Sequence, residues 1–300
     1  MRIGYACLNR SVGCTANRTF RLAGYSDERL VETVAANLAC LETILRFNRE
    51  HGLGYFRITS DLVPFASHPV CTVDWAARFR KEFAALGRFI KREGFRITMH
   101  PDQFTLINSP DRDIFRRSSA ELDYHARVLD AMGLDLTARI QIHVGGVYGD
   151  RAAALDRFVA RLGELAPAVR RRLTVENDDG RFSLADCLWL HDKTGLPVLF
   201  DVFHHEVLPS VGPTTAALRL AAATWAPEQG PLLVDYSSQE PGKRRGTHAA
   251  TLDPRHFRAF LEAARGIVCD CLLEIKDKER SALAALALAT GADGHQDVVY

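Results

Sequence analysis

A single-domain α/β fold of the (β/α)8 or TIM-barrel class is what this sequence predicts, and three observations predict it. Short apolar runs alternate with longer amphipathic ones from end to end, the pattern of parallel strands joined by crossover helices. Eight predicted strands and about eight helices alternate strictly, the count that closes a barrel. His, Asp and Glu stand repeatedly where an apolar run stops, and the C-terminal ends of the strands are where such barrels carry their chemistry. An open doubly wound sheet shows the same alternation, but it usually has a Gly-rich phosphate loop after its first strand. The sequence Leu8-Asn9-Arg10-Ser11-Val12-Gly13-Cys14-Thr15 does not supply one.

The first strand is predicted over residues 2–7. The helix after it is the clearest in the chain: Leu30, Val34, Leu38, Leu41 and Leu45 recur at helical spacing, Ser26 and Asp27 cap its start, and Gly52 closes it. Strand 55–59 leads to a helix over 75–94, strand 96–99 to one over 115–133, and strand 139–143 to one over 152–165. Strands 173–176, 198–202 and 232–236 lead to helices over 184–195, 216–225 and 257–266. Gly94, Gly133, Gly195 and Gly266 stand where four of these helices should stop. The last strand, 268–275, carries Cys269 and Cys271 on one face and precedes a closing Ala/Leu-rich helix over 281–290. No Ser/Gly linker or composition shift marks a second domain, so residues 1–290 are assigned to the barrel and 291–300 to a C-terminal tail. The polar loop 239–251 after the seventh strand is long, as functional loops on that face often are.

With 300 residues, 47% hydrophobic and 25% charged, the chain has a globular composition and not a disordered one. A formal charge of +1 excludes a uniformly basic nucleic-acid binder but leaves room for a local basic face. The seven cysteines form no CxxC pair and fall mostly in apolar segments, which predicts free thiols in a reducing compartment. Met-Arg-Ile-Gly-Tyr runs directly into a predicted strand, without the pattern of a signal peptide. No apolar run approaches the roughly 20 residues that span a bilayer. A cytoplasmic location, no membrane association and a monomer are expected.

His100, His143, Glu176, Asp201, His204 and Glu274 end successive or near-successive strands, so closure brings them to one rim. His68 and His248 are placed to join them. Converging imidazoles and carboxylates repel or desolvate one another unless cations offset them. The number of ligands exceeds what one ion takes, which predicts a cluster of two or three. With several His and no Cys, Mn²⁺ or Zn²⁺ is favoured over Mg²⁺. A multi-ion cluster of this kind suits phosphodiester hydrolysis, activating water and holding the oxygens of the attacked phosphate. Lys243, Arg244 and Arg245, in the long loop, are placed to hold phosphates. Lys276 and Lys278 follow Glu274, and Lys276 is assigned to neutralise phosphate charge. His205 would point to the opposite side if its strand continued, and is left outside the site.

The stretches Ile3-Gly4-Tyr5-Ala6-Cys7-Leu8-Asn9, His100-Pro101-Asp102-Gln103-Phe104, Val175-Glu176-Asn177-Asp178-Asp179, Phe200-Asp201-Val202-Phe203-His204-His205 and Leu273 to Glu279 closely resemble the UV damage endonuclease family. The resemblance runs in order from residue 3 to about residue 285. It implies a barrel nuclease related to the apurinic endonucleases, with up to three ions, Mn²⁺ foremost. It implies a double-stranded DNA substrate, nicked 5′ to a UV photoproduct or similar distortion to leave a 3′ hydroxyl and a 5′ phosphate. By motif match, His68, His100, His143, Glu176, Asp201, His204, His248 and Glu274 take metal-ligand roles, and Glu176, Asp201, Glu274 and Lys276 form the expected catalytic set. Gln103 and Phe104 match a pair that probes the lesion, with Phe104 where a Tyr commonly stands; an aromatic face suffices for stacking. Tyr5 and Asn9 match residues near the lesion or scissile phosphate. The seventh strand departs from the family: Leu233-Val234-Asp235 stands where the resemblance leads one to expect Lys-x-His. Leu233 cannot be carbamylated, while Asp235 retains an oxygen ligand.

Two other functions fit the scaffold, a sugar isomerase or epimerase and a catalytically altered DNA-binding relative. The basic run 243–245 and the Gln103-Phe104 pair favour the nuclease over the first. Glu176, Asp201, His204 and Glu274 favour it over the second.

Overall fold

The computed structural model describes residues 1–291, so the expected tail lies outside the described residues from residue 292 onward. Eight parallel strands close a barrel in sequence order: β1 Ile3–Ala6, β2 Tyr55–Ile58, β3 Arg96–Met99, β4 Arg139–His143, β5 Leu173–Glu176, β6 Val198–Asp201, β7 Leu232–Tyr236 and β8 Cys269–Leu273. Pairing of Ile3 with Cys271 and of Tyr5 with Leu273 joins the last strand to the first. A Cβ on Gly4 would fall 1.6 Å from the Tyr55 carbonyl oxygen, so the approach of β1 to β2 admits only glycine there.

Successive residues of a strand face opposite sides, and this parity sorts the barrel. Ile3, Tyr5, Phe56, Ile58, Ile97, Met99, Phe200, Val234 and Leu273 belong to the large core shared with the helices. Ala6, Tyr55, Leu199, Leu233 and Leu272 form a separate apolar cluster inside the barrel. Toward the N-terminal end of the strands, the buried guanidinium groups of Arg96 and Arg139 lie over the Trp225 ring, 5.5 and 5.8 Å from its centroid. Arg96 donates to the carbonyls of Gln229 and Pro231, and Arg139 to those of Arg171 and Leu173. The opposite end carries Arg57, Gln141, Glu176, Asp201 and Asp235, all buried. An apolar floor therefore separates the polar mouth from the closed base.

The helices are α1 Asp27–Glu50, α2 Trp75–Arg78, α3 Arg80–Glu93, α4 Arg112–Ala131, α5 Arg151–Leu162, α6 Pro167–Arg172, α7 Leu184–Thr194, α8 Val202–Val207, α9 Thr214–Ala222, α10 Pro254–Ala263 and α11 Glu279–Thr290. Ser26 caps α1 by accepting from the Arg29 N–H, and Asp111 caps α4 by accepting from those of Asp113 and Ile114. The single helix expected over 75–94 is broken at Phe79. Two short helices were not expected. Pro167 opens α6 at a first-turn position, where its missing N–H costs nothing. The sixth strand stops at Asp201, whose carboxylate accepts from the His204 N–H at 2.7 Å and so starts α8. His204 and His205 thus lie on a helix and not on a continuing strand. Among the described residues, no helix is long and apolar enough to cross a membrane.

The expectation of seven free thiols is corrected at one pair. Cys14, in the loop after β1, is disulfide-bonded to Cys40 of α1 with their Cα atoms 5.8 Å apart. A separation of 26 residues carries no local signal of such a pair. Cys7, Cys71, Cys187, Cys269 and Cys271 are free.

Candidate metal centre

The inward parity of the strands sets the polar ring at the mouth. Glu176 pairs in register with Leu199 and His143 with Glu176, so the ends of β4 and β5 are level. Asp201 and Asp235 are level across β6 and β7. Two sets of three ligand atoms, each within 4.8 Å of one another, result: His100, His143 and Glu176, and Glu176, Asp201 and His204. Glu176 belongs to both. The rings of His100, His143, His204 and His248 follow one another at centroid spacings of 5.2, 5.7 and 5.8 Å.

Three of these imidazoles are aimed by the main chain. The Nδ1 of His100 lies 2.7 Å from the Pro101 carbonyl, that of His204 3.0 Å from the Asn177 carbonyl, and that of His248 3.0 Å from the Glu274 carbonyl. A carbonyl only accepts, so each Nδ1 carries a proton, and Nε2 is the nitrogen free to act as a lone-pair donor in the neutral ring. Asn177 also clamps Asp201, its amide bonding both the carbonyl and the N–H of that residue.

The charges are set by these neighbours. Burial works to raise the Glu176 carboxyl, but the imidazoles of His143, His100 and His204 outweigh it and hold the group well below the usual carboxylate range. Burial pushes Asp201 well above that range, opposed by His204. Burial also opposes protonation of His204, yet Asp201 and Glu176 raise it to about 9. The His143 imidazole is pushed down, chiefly by burial. The Nδ1 of His143 and the Oδ2 of Asp201 are buried without a hydrogen-bond partner. Unpaired buried acceptors facing mixed His and carboxylate neighbours fit divalent cations.

The structure treats the remaining predicted residues in different ways. Glu274 and Asp235 point into the mouth, but both hold the Arg57 guanidinium, which donates to Glu274 through Nη1 and to Asp235 through Nη2. Gln141 Nε2 bridges Glu176 and Asp235 at 2.8 and 2.7 Å. Sequence reasoning missed Arg57 and Gln141. Their signal was parity: Gln141 shares its face with His143, and Arg57 shares the inward face of β2 with Tyr55, one residue before the strand ends. Asp235 lies outside both ligand sets with its Oδ2 taken by two donors, while its Oδ1 is buried without a hydrogen-bond partner. His68 is exposed, its Nδ1 accepts from the Val70 N–H, and it lies outside both ligand sets.

Tyr5 and Asn9 are corrected as DNA contacts. Tyr5 sits on the outward face of β1, fully buried, its hydroxyl bonded to Asn48 of α1 and to Asn9. Asn9 is 6% exposed and its carbonyl oxygen accepts from the N–H groups of Ser11 and Val12. The two shape the loop after β1 from behind. Gln103 is exposed and Phe104 is 73% exposed. Lys243, Arg244, Arg245 and Lys276 are exposed, and Arg245 is tied to the Val207 carbonyl at 2.6 Å. Gln239 pins that loop through the carbonyls of Glu240 and Arg244 and pairs with His248. A cleft of about 430 Å³ opens over the ligands, lined among others by His100, Gln103, His143, Asp178, Arg181 and His204.

A family profile described as UV-endonuclease UvdE matches residues 1–298. The UV DNA damage endonuclease of Clostridium perfringens (strain 13 / Type A) is 33% identical over 291 residues, spanning 95% of this chain and 70% of that protein. The UV DNA damage endonuclease of Bacillus cereus (strain Q1) is 30% identical over 293 residues, spanning 94% and 92%. A crystal structure of SacUVDE superposes with a TM-score of 0.93 at 40% identity, covering 98% of this chain and 99% of that one. Endonuclease IV from Thermus thermophilus matches with a TM-score of 0.56 at 18% identity over 83% of this chain and 92% of its own, a likeness of fold alone.

Proposed function

The chain belongs to the UV-endonuclease UvdE family, and from that premise we propose a metal-dependent DNA repair endonuclease that cuts the backbone 5′ to UV photoproducts and related lesions. The products are a 3′ hydroxyl and a 5′ phosphate. The observation that carries the metal dependence is the pair of ligand sets sharing Glu176 beneath an open cleft. His100, His143, Glu176, Asp201 and His204 hold a cluster of two or three ions, with His248 and Glu274 beside them. Mn²⁺ is the preferred ion, with Zn²⁺ or Mg²⁺ as alternatives. Bound divalent ions supply Lewis-acid charge to the attacked phosphate and to water.

The protein's own groups do the rest. Glu176 stays ionised at the pH of the reaction because its imidazole neighbours hold it so. The Nδ1 bonds fix the aim of the His100, His204 and His248 imidazoles and turn each Nε2 toward the mouth, where a cation would displace any proton it carries. Phe104, standing in solvent beside Gln103, is free to stack on a base where the duplex is distorted. Lys243, Arg244 and Lys276 meet backbone phosphates. An open cleft rimmed by an exposed aromatic suits a polymer and not a sugar closed in a pocket. The substrate is damaged double-stranded DNA, bound by a monomer in the cytoplasm.

The test is an end-labelled duplex with one photoproduct, incubated with Mn²⁺ and after chelation. Incision immediately 5′ to the lesion, lost on chelation and in Glu176→Gln while DNA binding stays within a few fold, is expected. Cutting that ignores the lesion, or none at all, overturns the reading.

A further inference from the structure

The strand that departs most from the family resemblance meets a buried arginine at the mouth. Arg57 rises from β2 with its side chain 4% exposed, and its two terminal nitrogens divide between Asp235 and Glu274, whose side chains are 0% and 21% exposed. Asp235 Oδ2 accepts from Arg57 Nη2 at 2.5 Å and from Gln141 Nε2 at 2.7 Å. Gln141 reaches Glu176 with the same nitrogen. Leu233, two residues before Asp235 on the inward face, has no oxygen to offer and packs against Ala6, Tyr55, Leu199 and Leu272. Neither of the two ligand sets includes Asp235 or Glu274.

We infer that the Arg57 guanidinium is a built-in cation that occupies the Asp235–Glu274 corner of the mouth, so that this protein binds two divalent ions sharing Glu176 and excludes a third. The charge count supports this. Asp235 and Glu274 are the carboxylates a third ion would need, and a fixed positive group already lies within hydrogen-bond distance of both. A dication in the same corner would face that group at a few ångströms in a site with little water, where repulsion is strong. Gln141 makes the arrangement directional. Its amide donates to the shared ligand Glu176 and to Asp235 at once, tying the ion-pair corner to the ion-binding one. Arg57 is thus a positioning residue: it holds Glu274 and Asp235 while the ions sit on the histidine side.

The inference rests on the metal-dependent reading above, and the experiment separates their failures. Metal-stripped protein is dialysed to equilibrium against Mn²⁺ alone and bound metal is counted per folded chain, with paramagnetic resonance recorded at each equivalent. Two ions per chain, exchange-coupled at the second equivalent, are expected. No bound Mn²⁺ overturns the metal-dependent reading; three ions leave it standing and overturn this inference. Asp235→Asn is expected to keep two ions, because Asp235 belongs to neither ligand set, and loss of one overturns the assignment. Arg57→Gln, checked for its fold by circular dichroism, is expected to raise the count to three, whereas Arg57→Lys keeps two. A folded Arg57→Gln protein that still holds two ions shows that the guanidinium does not exclude the third.

Discussion

Glu176 stays charged in a place where burial alone would neutralise it, because three imidazoles face it. That balance was legible in part from the sequence, which offers His and Glu at strand ends but not which of them converge. Arg57 and Gln141 escaped because an arginine or glutamine inside a strand reads as an ordinary polar residue until the facing parity is known. Tyr5 was misplaced for the same reason: its neighbours Gly4 and Ala6 face inward and it does not. His125 lies outside the site and gives a residue-scale prediction. It is fully buried, with Nδ1 2.7 Å from the Glu121 carbonyl and Nε2 3.1 Å from the Ser60 hydroxyl. Burial pushes its imidazole down to about 4. The unfolded chain, with histidine near its usual pKa of about 6.5, binds more protons than the folded one between these values. The stability contribution is therefore full above the unfolded value and falls as pH drops toward the folded one, by roughly 3 kcal/mol across the window. The urea midpoint is expected to drop from pH 7 to pH 4.5, with a shallower drop in His125→Gln. An equal slope in the variant shows that His125 is not the group responsible.

The strands over 96–99, 139–143, 173–176 and 232–236 agree with the predicted bounds to the residue, because each holds apolar residues at strand spacing and stops at a turn or a polar group. The sixth is shorter than predicted, since the cap at Asp201 and the apolar pair Val202-Phe203 look like strand until the backbone turns. The loop between β3 and α4 is the element most directly open to test. It leaves the barrel at His100 and carries Phe104 into solvent while Ser118 of α4 holds the Leu106 N–H. Phe104→Ala is expected to cost roughly 1 to 3 kcal/mol of lesion binding, read as the ratio of affinities for photoproduct and undamaged duplex. An unchanged ratio means that the ring does not stack.

Across the whole molecule a net charge of +1 leaves affinity for the polyanion to local groups, of which Lys243 and Arg244 are an exposed pair on a loop pinned by Gln239. Removing both in Lys243→Ala/Arg244→Ala should weaken binding to damaged and undamaged duplex alike. The slope of log affinity against log salt should shrink by roughly 2, about one unit per lost phosphate contact; an unaltered slope would place the DNA elsewhere on the surface. The closed barrel was legible as a whole because eight alternations leave few other topologies, whereas the Cys14–Cys40 bond was not, since it depends on how a loop lies over α1. Three of the imidazoles take their aim from carbonyl oxygens, and a carbonyl is the one group that every residue possesses. Drift in the neighbouring positions leaves that aim intact as long as the backbone path holds, so a lineage can redecorate the rim for new damaged substrates while the ions keep their seats.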